Sequence, residues 1–510
     1  MESRTLNATR NIVTGLLNKF ASIVMPFIVR TVVIHTLGIN YLGLDNLFSA
    51  ILQVLNLSEL GISSAIAYCM YRPIAERNTE KVEALYLYVK RAYQFIGMFI
   101  LFAGIITTPC LKLFIKGKVP SGINIYFLYL VYIINSGISY CMFAYKSVLL
   151  NAYQRLDIGN NVLTISRMVT YILQLIILIL TKNYYLFIII LPLGTIINNI
   201  LLSHYVEKLF PDIRTKGKLD NETKRMVKHQ ILGVCINKLC LTSRNSLDSI
   251  LISTYLGLSM TAIYNNYYYI LNALVSIVLI VSSSIIPGIG NSIATENIEK
   301  NYKDFRKFNF LFMWLSVIFT SCLFVLYQPF MKVWMGEKYC LPSSSVLLFT
   351  IYFFSMMLGN IKAVYTEAAG LWWENKNRAI FEVILNVLLN IFLGKIFGIN
   401  GIIIATVITI ITVNFGLSSL VLFNSYFKYI SSKEFFRDSV TYFVVMAIIC
   451  SISFFTSSKV ITSSLLMEIF IKLVLCIMIS NCIFVLIYRN TLLYKESVIW
   501  IKEKVNIWKK

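Results

Sequence analysis

Fourteen stretches of about twenty mostly apolar residues, each bounded by charged or turn residues, run through the chain near 12–36, 44–70, 92–114, 123–144, 159–180, 184–205, 231–254, 262–287, 308–330, 344–366, 379–397, 401–423, 439–457 and 464–488. A run of that length crosses a bilayer as a helix, because in lipid every backbone N–H and C=O must find its partner within the segment. The composition agrees, with 57% hydrophobic and 14% charged residues, against about 25% charged in a soluble domain. The expected fold class is all-α, a polytopic membrane protein of about 14 transmembrane helices. Only short connections remain, which excludes a soluble enzyme, a large external domain and a nucleic-acid binder despite a net charge of +22.

That charge is explained by topology. Following the spans in order, one face receives 32 of the Lys and Arg residues and the other 8. Cytoplasmic loops carry the basic excess, so both termini are expected in the cytoplasm. The first run carries Lys19 and Arg30 and no small-residue cleavage pattern, so it reads as the first membrane helix rather than a signal peptide. Basic, partly amphipathic segments at 71–91, 211–228 and 488–510 are expected along the inner leaflet, against membrane lipid. The ten cysteines are scattered and read as packing residues, and the three histidines have no ligand spacing.

The chain repeats itself at an offset of 219 residues without a gap. Asn18-Lys19 falls on Asn237-Lys238, Leu37-Gly38 on Leu256-Gly257, Gln53 on Asn272, and the loop IAERNTEK on IATENIEK. Six spans per repeat preserve orientation, so two parallel lobes are expected: residues 1–224, residues 225–437, and two additional helices with a basic tail at 438–510. Paired lobes of this kind commonly work by alternating access, with the substrate held between them.

Lipid-facing surfaces must be apolar, so polar stripes at helical spacing mark faces turned to protein or water. Asp45, Ser49, Gln53, Asn56, Glu59 and Ser63 form one such stripe; Asn160, Thr164, Arg167, Tyr171 and Gln174 form a second; Asn265, Tyr269, Asn272, Ser276 and Ser283 form a third. Ionised groups at bilayer depth cost about 2.5 to 3.5 kcal/mol each, and they fall on repeat-equivalent spans. Lys19 and Arg30 lie on the first span; Lys238, Arg244 and Asp248 lie on the seventh. Four cations against one acid point to a cavity for an anion, with arginine suited to phosphate oxygens. The expected substrate-binding set is Arg30, Arg244, Arg167, Lys19, Gln53, Asn56 and Asn272. Internal pairing is the competing reading: Arg244 with Asp248, Arg30 with Glu59, and the lysines snorkelling to the interface. Asp248, Glu382, Asn386, Asn390 and Thr406 offer hard oxygen ligands for sodium or a proton, with Na+ at Asp248 and Glu59 as the rival carrier. Glu468 and Lys472 read as a structural i,i+4 pair, and the tyrosines between Tyr264 and Tyr269 as either sugar stackers or an interface belt.

The stretch LGINYLGLDNLFSAILQVLNLSELGISSAIAY at 37–68, the following MYRPIAERNTEK and the later EAAGLWWENKNRAI resemble the Wzx-type polysaccharide flippases of the multidrug/oligosaccharidyl-lipid/polysaccharide (MOP) superfamily. The resemblance implies a MATE-like arrangement and export of undecaprenyl-pyrophosphate-linked oligosaccharide units from inner to outer leaflet, for capsule or another surface polysaccharide. It implies a cationic cavity, matched in kind by Arg30 and Arg244, and coupling to a H+ or Na+ gradient with no cofactor. Asp248 with Glu382, Asn386 and Thr406 resembles the sodium site of lipid-linked peptidoglycan precursor flippases. Polysaccharide polymerase and glycosyltransferases are the implied protein partners of a monomeric, non-enzymatic transporter. A polytopic polymerase is disfavoured because the longest outer loop, near 331–343, is too short to hold acceptor sugars. A drug antiporter would call for acids, not bases, on the first and seventh spans.

Overall fold

A computed structural model describes residues 4–56, 62–117, 119–462 and 464–508, with backbone alone described at 4–14, 16–17, 64–65, 226, 229–245, 284, 287 and 504–508. The described residues form helices and connecting turns with no strand, as expected of a chain whose apolar runs have nothing but their own backbone to bond. They group into two compact units, Met1–Ala262 and Ile263–Lys510.

The first unit holds α1 (Arg4–Thr36), α2 (Ile39–Leu55), α3 (Ile62–Ala75), α4 (Thr79–Thr107), α5 (Ile125–Cys141), α6 (Ser147–Ala152), α7 (Leu156–Thr181), α8 (Tyr184–Leu209) and α9 (Asn221–Leu256). Polar residues just ahead of the apolar runs start the helices. Asn78, Asn124, Asn183 and Asp220 each accept backbone N–H bonds from the first turn of α4, α5, α8 and α9. In this unit α1 packs on α7, α7 on α8, α5 on both α4 and α8, and α9 on α2 and α3. The repeat-equivalent positions Asn40 and Ser259 meet here, the Ser259 hydroxyl donating to Asn40 Oδ1 at 2.9 Å.

The second unit holds the rest of α10 (Leu258–Thr295), then α11 (Ile298–Met335), α12 (Ser343–Leu358), α13 (Asn360–Ala368), α14 (Lys376–Thr409), a π-helical segment Ile410–Leu417, α15 (Ser418–Ser425), α16 (Lys433–Ser457), α17 (Leu465–Tyr488) and α18 (Leu492–Trp508). Within it α11 carries α12, α16, α17 and α18. Small polar residues mediate the close packing, with Ser321 donating to Ser453 at 3.1 Å and Ser457 next to Cys476.

The surface is inverted relative to a water-soluble protein. Ile165, Ile172, Ile176, Ile179 and Leu180 of α7 are exposed while Ser166 and Gln174 are buried; on α17 the buried residues are Cys476, Ser480 and Phe484. By length and hydropathy, ten helices among the described residues can cross a membrane, or eleven if the bent pair Ile125–Cys141 and Ala144–Ala152 counts as one span. Lys376–Ser425 is a single 50-residue helical stretch, yet Gly398 (φ 58°, ψ −131°) breaks it where the sequence separates spans 379–397 and 401–423. Charge dilutes the hydropathy of α9, and the second expected span includes residues outside the description.

Candidate functional site

In the first unit, α1, α2, α5, α7 and α8 enclose a cavity of about 420 Å³. The α2 stripe turns Asp45, Ser49, Gln53 and Asn56 into it, because spacings of four and three residues keep these side chains on one helix face. Arg30 enters from α1, Tyr171 and Gln174 from α7, Tyr132, Asn135 and Ser136 from α5, and Tyr184 from α8. The Arg30 guanidinium donates to Asn46 Oδ1 at 2.9 Å and interacts electrostatically with Asp45. The Tyr132 hydroxyl donates to Asp45. Tyr184 donates to the Tyr41 carbonyl at 3.1 Å with the two rings edge to face, centroids 5.0 Å apart. Gln53 Oε1 accepts from Ser246 of α9 at 2.9 Å, and Gln174 donates to the Phe187 carbonyl at 3.0 Å. The Asn56 Oδ1 atom is buried without a hydrogen-bond partner among the described residues.

A second cavity of about 280 Å³ lies among α5, α7 and α8 and shares Asn135, Tyr171 and Leu191 with the first. Arg167 lines it. Gly194 lets α8 close against α7 at its edge, since a Cβ there would stand 2.1 Å from Thr170 Oγ1.

The sequence-derived residues therefore separate into groups. Arg30, Gln53 and Asn56 meet at the first cavity, and Arg167 lies at the second. Lys19 lies on α1 outside both linings, and Asn272 is an exposed residue of α10. Asp248 is buried on α9 beside buried Ser249. Glu59 and the side chains of Lys238 and Arg244 fall outside the described residues, so the pairings of Arg30 with Glu59 and of Arg244 with Asp248 do too.

In the second unit Glu382 belongs to one buried set of polar groups, and Asn386 and Thr406 to another. Glu382 pairs with Arg378 one turn away and accepts from Asn414 Nδ2 at 3.2 and 3.0 Å. Lys362 donates to the Asn414 carbonyl at 2.7 Å, within the π-helical segment. Asn386 donates to Thr406 at 3.4 Å and Thr409 at 3.2 Å, and accepts from Asn390 at 3.1 Å. Glu468 and Lys472 form the expected pair at 2.5 Å. Tyr264 and Tyr267 are buried rather than facing a sugar. Tyr267 donates to Gln328 Oε1 at 3.0 Å, and its ring packs 5.1 Å from that of Tyr327.

Two contributions escape a reading of the sequence. Tyr132, Asn135, Ser136 and Ser139 stand at i, i+3, i+4 and i+7 on one face of α5, a stripe of the kind recognised on α2 and α7 but hidden in an otherwise apolar helix. Lys362 and Arg378 count in the sequence as loop charges of the inner face, although both side chains are largely buried.

No protein-family profile matches the sequence, and no curated protein does. Solved structures do. An inward-facing multidrug resistance MATE family transporter of the MOP superfamily shares 13% identity over 79% of this chain and 95% of its own, with a TM-score of 0.60. The lipid II flippase MurJ, in an inward closed conformation, shares 17% identity over 95% of this chain and 99% of its own, with a TM-score of 0.62. The MATE multidrug transporter DinF-BH shares 16% identity over 84% of this chain and 98% of its own, with a TM-score of 0.58. The helices described above thus share the fold of these solved MATE and MurJ structures.

Proposed function

We propose that this chain is a flippase that carries an undecaprenyl-diphosphate-linked oligosaccharide from the inner to the outer leaflet for assembly of a surface polysaccharide. The observation that carries the reading is the polar cavity of the first unit, where the Arg30 guanidinium stands among tyrosines and Asn, Gln and Ser side chains. A guanidinium matches paired phosphate oxygens, and tyrosine rings with amide groups suit the faces and hydroxyls of sugars. The fold match adds support, since MurJ covers 95% of the chain against 79% and 84% for the two MATE proteins. We assign coupling to a H+ or Na+ gradient to buried Asp248, with Glu382, Asn386 and Thr406 as helpers and Glu59 as the rival. In this reading the protein is a monomer of the bacterial cell membrane that passes its product to a polysaccharide polymerase after glycosyltransferases have built it.

One observation favours a second reading, export of lipophilic cations. Asp45 lies in the same cavity among the same tyrosines, an arrangement that also suits an organic cation. The two readings make opposite demands. In a strain lacking the wild-type gene, Arg30→Gln should abolish surface polysaccharide while the protein remains at normal level in the membrane, and Asp45→Asn should leave resistance to cationic dyes unchanged. Normal polysaccharide in Arg30→Gln together with dye sensitivity in Asp45→Asn would replace the flippase with the drug exporter.

A further inference from the structure

The second cavity of the first unit is a polar chamber inside a membrane bundle, and its walls hold more hydrogen-bonding capacity than the fold uses. Ser166, Thr170, Asn135, Thr195, Asn198 and Arg167 are among the residues around its 280 Å³ or so, with Leu191 and the Tyr171 ring in its apolar share. Part of that polarity is structural. Thr195 donates to Asn135 Oδ1 at 2.7 Å and Thr170 donates to the Ser166 carbonyl at 2.7 Å. Part of it is not. The Ser166 hydroxyl and Asn198 Oδ1 are buried with no hydrogen-bond partner among the described residues, and Ser166 is only 5% exposed. Arg167 makes no hydrogen bond or ion pair among the described residues.

An unsatisfied buried hydroxyl or amide oxygen costs the fold about 1 to 3 kcal/mol. Alanine in place of Ser166 would remove that cost. Groups kept at such a cost are explained by a ligand that completes them, and their chemistry defines it. Asn198 Oδ1 needs a donor, the Ser166 hydroxyl can give or take, and Arg167 gives several N–H bonds in one plane, while the Tyr171 ring offers a flat apolar face. A ligand with many hydroxyls and an apolar ring face meets all four. Asn135, Tyr171 and Leu191 also line the cavity of Arg30, so the two chambers are neighbours with these three side chains at their common boundary.

We propose that this chamber is a saccharide subsite, receiving the first sugar of a lipid-linked substrate whose diphosphate lies at Arg30. The assignment rests on the flippase reading and adds to it where sugar is told from no sugar, through Ser166 and Asn198. Drug-sized ligands occupy cavities of about 300 to 1,000 Å³; the chamber falls just short of that alone and is suited to one ring of a larger ligand.

The test uses the purified full-length chain and two probes, undecaprenyl diphosphate and undecaprenyl diphosphate bearing one N-acetylhexosamine. Wild type should bind the glycosylated lipid more tightly than the bare one. Ser166→Ala and Asn198→Ala should each weaken binding of the glycosylated lipid about three- to tenfold, the loss of one hydrogen bond, and leave binding of the bare lipid unchanged. The melting temperature of Ser166→Ala should hold or rise, because that variant removes a hydroxyl the fold does not satisfy; Asn198→Ala also removes the Nδ2 bond to Asn199 Oδ1, so its readout is sugar discrimination. A purely structural role predicts the reverse, a lower melting temperature with sugar discrimination intact, and that result overturns the subsite. Equal losses for both lipids, or equal wild-type affinity for both, overturn it as well. Arg30→Gln should weaken both probes alike. If wild type retains neither lipid, the flippase reading itself falls, an outcome distinct from loss of discrimination alone.

Discussion

At the scale of single residues, the charges of this chain divide by whether their surroundings complete them. Glu382 is the clearest case of completion. Its carboxylate receives Arg378 and the Asn414 amide, while Lys362 donates to the backbone carbonyl of that same Asn414. Two cations therefore depend on one acid in a region shielded from water, and removing the acid leaves them uncompensated. Breaking a buried pair costs about 3–5 kcal/mol. Glu382→Gln should accordingly lower the unfolding temperature of the detergent-solubilised protein substantially, and Arg378→Met combined with Glu382→Gln should recover part of the loss. A melting curve unchanged by Glu382→Gln would mean that the pair contributes nothing to the fold. Sequence reasoning reaches Arg30 and Glu382 because a charge inside an apolar run is conspicuous. It does not reach Lys362 and Arg378, because a basic residue near the inner end of a span counts toward topology whether it ends in water or in a protein interior. Only tertiary packing separates the two fates.

At the scale of elements, the helices follow the apolar runs closely, and where the two differ the cause is local. The break between the spans at 379–397 and 401–423 is legible in the run Gly398-Ile399-Asn400-Gly401, and the backbone turns at the first glycine. Gly398 has φ 58° and ψ −131°, a conformation that a side chain makes costly, by about 1–3 kcal/mol. Gly398→Ala should therefore reduce thermal stability by that order while leaving export measurable at low temperature. An unaltered melting temperature would show that the turn relaxes without strain. The π-helical segment Ile410–Leu417 is not legible, since its apolar residues suit an α-helix equally well. Its widened turn coincides with the Asn414 carbonyl taken by Lys362, the kind of local departure from α-helical bonding that often marks functional positions. The α5 stripe escapes notice for the opposite reason: its polar residues are present, but tyrosine counts as apolar in a hydropathy sum and so hides a wet face.

At the scale of the whole molecule, what the sequence conveys best is how the chain meets the membrane. Span placement rests on apolar length, and orientation rests on a basic bias of 32 to 8 between the two faces. Neither quantity needs tertiary contacts, which is why an all-helical membrane fold is accessible from sequence alone. The cavities are accessible only in part, because a stripe names the polar face of one helix and cannot say which other helices close around it. Orientation gives the sharpest test at this scale. Lys218, in the connection ahead of α9, and Lys338, between α11 and α12, are both exposed, so a cysteine at either place reports sidedness rather than burial. The two loops belong to opposite faces by the basic bias, with Lys218 inside. In intact cells a membrane-impermeant maleimide should label a cysteine at position 338 and spare one at 218, and after the cells are opened it should label both. Labelling of position 218 but not 338 in intact cells would invert the chain in the membrane. It would also reverse the direction of the proposed export through the Arg30 cavity, so the orientation experiment bears on that proposal as directly as it does on topology.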